Sequence, residues 1–285
     1  MIQFEKQPAR PQEARTDVPF QRYVYADGSV WTEFYRDDEG YLLRFPGLAD
    51  FAVSADGEHV TAWPTAESDS DTVEHLYINQ LVPLALSRQG RPTFHASVVT
   101  VPGGAIAFLG ETGYGKSTLA ASYALDDSRF LTDDALIIEE TPEGCTVHPG
   151  HASLRLWQDS VDALIESESL ESVRVSYSTK ARLLAGDALA YSDDPQHLLA
   201  AFVLGEGDID GVCINDLSGV ARYMAWLRNS FLLDIQDRDM LAQHFEWTHR
   251  ISDHIPTFLL DYPRDYAMLP SVRENVAKHL AKLDG

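Results

Sequence analysis

The residues best suited to chemistry lie in one run, Gly110-Glu111-Thr112-Gly113-Tyr114-Gly115-Lys116-Ser117-Thr118. Glycines at this spacing let the backbone turn its N–H groups inward as a nest for phosphate oxygens, and a following helix adds its positive N-terminal end. Lys116 supplies a compact positive charge for the β and γ phosphates, and Ser117 offers a hydroxyl to Mg²⁺. The run fits G-x-x-x-x-G-K-[ST], the Walker A pattern. Gly110, Thr112, Gly113, Tyr114, Gly115, Lys116, Ser117 and Thr118 are therefore the expected nucleotide-binding residues. The carboxylate of Glu111 opposes phosphate, so its side chain is expected to point outward.

Other candidates flank the loop. Asp133 and Asp134 follow Lys116 by 17 and 18 residues, and His95 precedes it by 21. Two adjacent carboxylates at a strand end point to different sides of the chain, so they can divide metal binding and proton acceptance. A solvated turn is the plain alternative, but Ala135-Leu136-Ile137-Ile138 follows at once, where idle charges are costly. His95 reads either as a satisfied strand histidine or as a partner to an Asp or a phosphate. Arg155 either clamps phosphate or snorkels from a half-buried strand. Lys180 and Arg182, in Ser178-Thr179-Lys180-Ala181-Arg182, either close over the γ-phosphate or form a surface patch. His148, His151 and Cys145 invite a zinc reading, but Pro149-Gly150 breaks the helical spacing such a site would use.

The elements that must position these groups can be read from pattern. Thr93 to Val101 reads as one strand, Ala105 to Leu109 as a second, fully apolar strand, and Leu119 to Leu125 as a helix, which gives the strand, loop and helix order of a phosphate-binding site. Residues 1–19 carry Pro8, Pro11 and Pro19 among polar groups and read as a flexible tail. Residues 20–70 form short β-rich stretches punctuated by Asp27-Gly28, Glu39-Gly40, Pro46-Gly47 and Asp56-Gly57, which predicts hairpins in a small β-rich domain. A helix capped at Asp71 and Glu74 and kinked at Pro83 opens a second domain, 71–285. Its C-terminal third reads as helical, over Val220 to Asp234 and Asp237 to Arg250, with a last helix starting at Ser271 to Glu274.

Composition excludes several classes of function. The chain of 285 residues has 45% hydrophobic residues, enough for a core, and its 22 Lys and Arg against 44 Asp and Glu leave a net charge of −22. That field repels nucleic acid and anionic lipid, so neither is an expected partner. Two cysteines are too few for a disulfide framework, no run approaches a membrane span, and the first residues do not read as an export signal. A cytoplasmic protein is expected.

The segments Phe94-His95-Ala96-Ser97, Leu131-Thr132-Asp133-Asp134, His148-Pro149 and Ser153-Leu154-Arg155-Leu156-Trp157 flank the loop in a way that resembles the HPr kinase/phosphorylase family. The resemblance covers about residues 20 to 160 and is nearer to the HPr-kinase-like proteins of lasso-peptide gene clusters. The resemblance implies an α/β fold: a P-loop kinase domain of the HPr kinase/PEP carboxykinase type, with a mixed sheet and helices, beside a small β-rich N-terminal domain. It implies an ATP-dependent serine kinase, with His95, Lys116, Asp133 and Asp134 catalytic, one Asp being the general base. Mg²⁺ would lie on Ser117, Asp133 and Asp134, and Arg155 and Lys180 would join the nucleotide site. The implied acceptor is a peptide or small protein, in the narrower branch a ribosomally made lasso precursor; homo-oligomerisation stays open. Two departures, Thr118 where HPr kinases carry glutamate and Leu154-Arg155-Leu156-Trp157 where they carry a Glu-Ile-Arg-Gly-like segment, set HPr itself and the reverse phosphorylase reaction apart. An ATP-binding regulator without transfer and a small-molecule kinase are the alternatives.

Overall fold

The structure, a computed structural model, describes residues 2–25, 27–142, 144–165, 172–173 (backbone only), 180–186 and 188–283. The chain divides into two compact units. One holds Met1–Arg91 with Leu232–Leu241, and the other begins at Pro92 and includes Ala242–Gly285. None of the described helices is long and apolar enough to cross a membrane.

The first unit is a six-stranded sheet in the order Gln3–Lys6, His59–Pro64, Ala49–Ser54, Gly40–Phe45, Val30–Asp37, Gln21–Val24. The last five form an antiparallel meander with turns at the four glycine dipeptides, as the punctuation predicts. The expected tail differs. Gln3–Lys6 pairs parallel to His59–Pro64, Phe4 stacks on Tyr77 at 3.8 Å, and the Arg10 guanidinium lies 4.1 Å from the Trp63 ring centroid. Each partner lies more than fifty residues away, so local composition carried no sign of it. The helix is N-capped by Asp69, whose carboxylate accepts the Thr72 N–H, not by Asp71. It passes through a wide π turn, Tyr77–Leu81, directly before Pro83, which has no N–H to offer the carbonyl of Asn79. This helix belongs to the first unit, so the boundary falls at Arg91 and not at 70. Leu232–Leu241 joins the same unit through a fork of two 2.6 Å bonds from Arg36 to the buried Asp234.

The second unit is mixed α/β. Its main sheet runs Phe130–Thr132, Ala96–Val101, Gly104–Leu109, Gln196–Leu204, Gly144–His148, Leu136–Thr141, Thr93–Phe94. Gln196–Leu204 is parallel to Gly104–Leu109 on one side. On its other side its early residues pair antiparallel with Gly144–His148 and its later ones parallel with Thr257–Asp261, so the sheet forks there. A three-stranded sheet, Ser153–Leu156, Ala181–Leu184, Ser172–Val173, packs Leu154, Leu156 and Leu183 into the same core as helix Lys116–Ala124. Strands Gln196–Leu204, Cys213–Asp216 and Thr257–Asp261 interleave with helices Gly219–Arg228, Arg238–His254 and Leu269–Leu280, so the C-terminal third is not purely helical. The last helix enters through a 3₁₀ turn capped by Asp265, which leaves Ser271 inside it.

Candidate active site

Strand Gly104–Leu109 is buried along its whole length and delivers the chain into the glycine loop. Gly110, Gly113 and Gly115 hold φ of 145°, 92° and 90°, left-handed backbone that a side chain would strain. Gly115 N-caps helix Lys116–Ala124, and the Tyr262 hydroxyl stands 3.6 Å from where a Cβ on Gly115 would be. Lys116 is buried, and its ammonium donates to the carbonyls of Gly110 (2.6 Å) and Glu111 (3.0 Å). Burial pulls its pKa down to about 8, although the carboxylates of Asp133 and Asp134 favour the charged form.

Asp133 and Asp134 follow strand Phe130–Thr132 and face different partners. Asp133 is buried; its Oδ1 accepts the hydroxyls of Ser97 (2.5 Å) and Ser117 (2.9 Å), and its Oδ2 accepts the backbone N–H of Arg155 (2.9 Å). Burial and the neighbouring charge of Asp134 push its carboxyl above the usual range, against the bonds from Ser97 and Arg155. Asp134 takes φ 73°, which turns its side chain away from that of Asp133. Its Oδ2 accepts the Arg155 guanidinium at 3.0 Å, and its Oδ1 lies 3.2 Å from Nε2 of His95. Burial works against its charge, but Arg155 and His95 outweigh that and hold the carboxyl well below the usual range. Ser97, two residues after His95, joins the site by donating to Asp133, and the apolar β-branched run around it does not single it out in the sequence.

The expected strand Thr93 to Val101 is interrupted at His95. Thr93–Phe94 pairs with Leu136–Ile137, and Ala96–Val101 with Gly104–Leu109, so His95 stands at the change of partner. Its N–H donates instead to the carbonyl of Asn229 at 2.5 Å. Lys180 lies with its ammonium 5.2 Å from the Trp157 ring centroid, and its charge favours ionisation of Asp133 and Asp134. Arg155 is therefore a carboxylate partner in a site, and its backbone and side chain hold one Asp each.

The remaining candidates fall variously. Glu111 and Thr112 are exposed and Tyr114 packs on the core. The Thr118 hydroxyl lies 3.1 Å from that of Ser160, which lies 3.1 Å from Tyr266 Oη, so it faces the flanking helix. Arg182 is not surface: it is buried, and bonds to Ser153 Oγ (3.1 Å) and the His151 ring (3.0 Å). Ser178 and Thr179 lie outside the described residues. His148 pairs with Glu139 at 2.6 Å and Cys145 is buried with its thiol pushed up to about 11 by burial. Among the described residues no group of three or more His, Cys, Asp and Glu could hold a metal. A hydroxyl with one or two carboxylates, completed by phosphate oxygens and water, is instead the hard oxygen set that Mg²⁺ takes.

No family model and no curated protein matches the chain. Among solved structures, the Hpr(Ser) kinase/phosphatase from Coxiella burnetii is similar to it at 11% identity and a TM-score of 0.37, over 68% of this chain and 99% of that one.

Proposed function

We propose that this chain is an ATP- and Mg²⁺-dependent phosphotransferase that moves the γ-phosphoryl group to a hydroxyl, with a serine of a peptide or small protein as acceptor. The observation that carries the reading is the junction of the glycine loop with the carboxylate pair: Ser117, next to the loop lysine, donates to Asp133 at 2.9 Å, and the adjoining Asp134 is paired with His95 and Arg155. Phosphoryl transfer asks for a phosphate cradle, a hard-ion site and a group that orients the attacking hydroxyl, and the reading is supported by one connected set of hydrogen bonds that joins the residues suited to these roles.

Ser117 and Asp133 would hold Mg²⁺, which would supply charge neutralisation for the phosphates. Lys116 moves from the loop carbonyls to the phosphates, exchanging dipoles for full negative charges. Asp134, held ionised by Arg155 and His95, accepts a hydrogen bond from the acceptor hydroxyl, orients it for in-line attack and takes its proton as the new O–P bond forms and the bond from the γ-phosphorus to the β,γ-bridging oxygen breaks, with ADP as the leaving group. His95 steadies that carboxylate, and Arg155 and Lys180 offset the negative charge collected there. The sequence resemblance to the lasso-cluster branch supports a serine of a precursor peptide as the acceptor.

Incubation with ATP·Mg²⁺ of a serine-bearing precursor peptide, its Ser→Ala version and HPr tests this by mass spectrometry. A gain of about 80 Da is expected on the serine peptide alone. Preferential modification of HPr would move the chain to the other branch. Nucleotide binding with no transfer would return the regulator reading.

A further inference from the structure

Resting on the nucleotide reading, we infer that the side chain of Asn229 is a positioning residue, which fixes the first peptide of the phosphate loop relative to His95. Asn229 ends helix Gly219–Arg228, 119 residues from Gly110 in sequence, and its groups serve three masters. Its Oδ1 accepts the N–H of Gly110 at 3.2 Å, its Nδ2 donates to the carbonyl of Ala225 at 2.8 Å, and its main-chain carbonyl accepts the N–H of His95 at 2.5 Å. The bond to Ala225 settles which way the amide points, since only its nitrogen can donate there.

The consequence lies at Gly110, between two peptide groups. The N–H of the first is engaged by Asn229 and the carbonyl of the second by the Lys116 ammonium at 2.6 Å, so the residue at φ 145° is held on both sides. On the proposed reading Lys116 leaves that carbonyl for phosphate when nucleotide binds, and the bond to Asn229 then remains as the hold on Gly110. Without the amide oxygen, a part-buried N–H loses its acceptor and is free to turn toward the loop interior, which misaligns the N–H groups that follow. The segment carrying Asn229 is itself firmly seated. Trp226 is fully buried, donates to Thr257 Oγ1 at 3.0 Å and meets Phe94 edge-on at 4.9 Å, and the Phe231 N–H donates to the Thr93 carbonyl at 2.9 Å. One seat therefore sets both the opening of the loop and the strand break that presents His95.

The test compares Asn229→Ala, Asn229→Asp and Trp226→Phe with wild type in the full chain, using Mg²⁺ with a non-hydrolysable ATP analogue and ¹⁵N-glycine labelling. In Asn229→Ala the Gly110 amide resonance shifts and its exchange quickens, and the analogue binds about tenfold more weakly. Asn229→Asp keeps an acceptor oxygen for that N–H and keeps the Gly110 resonance near its wild-type exchange rate. Trp226→Phe lowers the melting temperature by loosening the same seat and, because it keeps the amide oxygen, weakens the analogue less than Asn229→Ala does. Affinity of Asn229→Ala within twofold of wild type, or a loss in Trp226→Phe as large as in Asn229→Ala, overturns the assignment. Wild-type protein that binds no Mg²⁺–nucleotide overturns the nucleotide reading itself, an outcome seen before any variant is made.

Discussion

Lys116 shows how one buried group ties affinity and stability to pH. In the folded chain it loses its proton at about 8, and in the unfolded chain at its ordinary 10.5. Between those values the unfolded state binds more protons, so this lysine makes stability rise with pH over that window; below about 8 it carries a constant cost. On the proposed reading, nucleotide affinity would have the opposite sign, because phosphate selects the ammonium form. Affinity should fall as pH climbs through about 8, with close to one proton taken up per nucleotide bound at about pH 9 and little at about pH 7. Calorimetry in two buffers of different ionisation enthalpy measures that uptake, and it should vanish in Lys116→Met. The two carboxylates should separate in the same spirit. In the proposed mechanism Asp134→Asn removes the group that would orient the hydroxyl, and it should cost roughly 10² to 10⁴ in rate with nucleotide still bound. Asp133→Asn should in addition raise the Mg²⁺ concentration needed for half-maximal rate, because Asp133 is the carboxylate bonded to Ser117. A Mg²⁺ titration of both variants checks this, and two fully active variants would remove the mechanism.

At the scale of elements, what was legible in the sequence is what is local. The glycine loop was legible because its chemistry lies in consecutive residues, and the hairpins because each turn carries its own glycine. His95 stands out in the sequence by its spacing from the loop, but the strand break there does not, since the β-branched run around it reads as unbroken. Gln3–Lys6 and Asn229 were missed because their partners are distant in sequence, and such pairing is decided by packing in three dimensions. Gly150 is a further case. Its N–H donates to the Leu131 carbonyl at 2.8 Å, and a Cβ there would overlap Thr132 Oγ1 and sit 2.8 Å from Thr132 Cβ. Thr132 in turn closes the turn bearing the carboxylates through a 2.7 Å bond from its hydroxyl to the Ala135 carbonyl. Gly150→Ala should therefore push on Thr132 and displace Asp133 and Asp134 without touching the loop. The expectation is a fall of roughly 10 to 10² in kcat with nucleotide affinity within twofold, since small misplacements of reacting groups cost that much. Steady-state kinetics beside an analogue-binding isotherm makes the comparison, and a variant weakened in binding but normal in kcat would contradict the packing argument.

For the whole molecule, the governing quantity is a net charge of −22, against which the site gathers Lys116, Arg155 and Lys180 around two carboxylates. A nucleotide, as an anion, would have to enter against the general field, so on the proposed reading its capture would depend on the local nest and on Mg²⁺ carried with it. An acceptor peptide has no such escort, and its encounter rate should follow its own charge. Screening reaches in to about 8 Å at about 0.15 M salt, so any long-range attraction fades across the physiological range. Two acceptors with the same residues around the serine, one with a lysine-rich and one with a glutamate-rich flank, should therefore respond oppositely to added salt. For the basic peptide kcat/KM falls as salt rises from about 0.02 to about 0.3 M; for the acidic one it rises, and kcat at saturation moves little for either. Because steering acts on encounter and not on the transferred group, a parallel salt response of the two peptides would show that the docking contact, and not the field of the chain, sets which acceptor arrives.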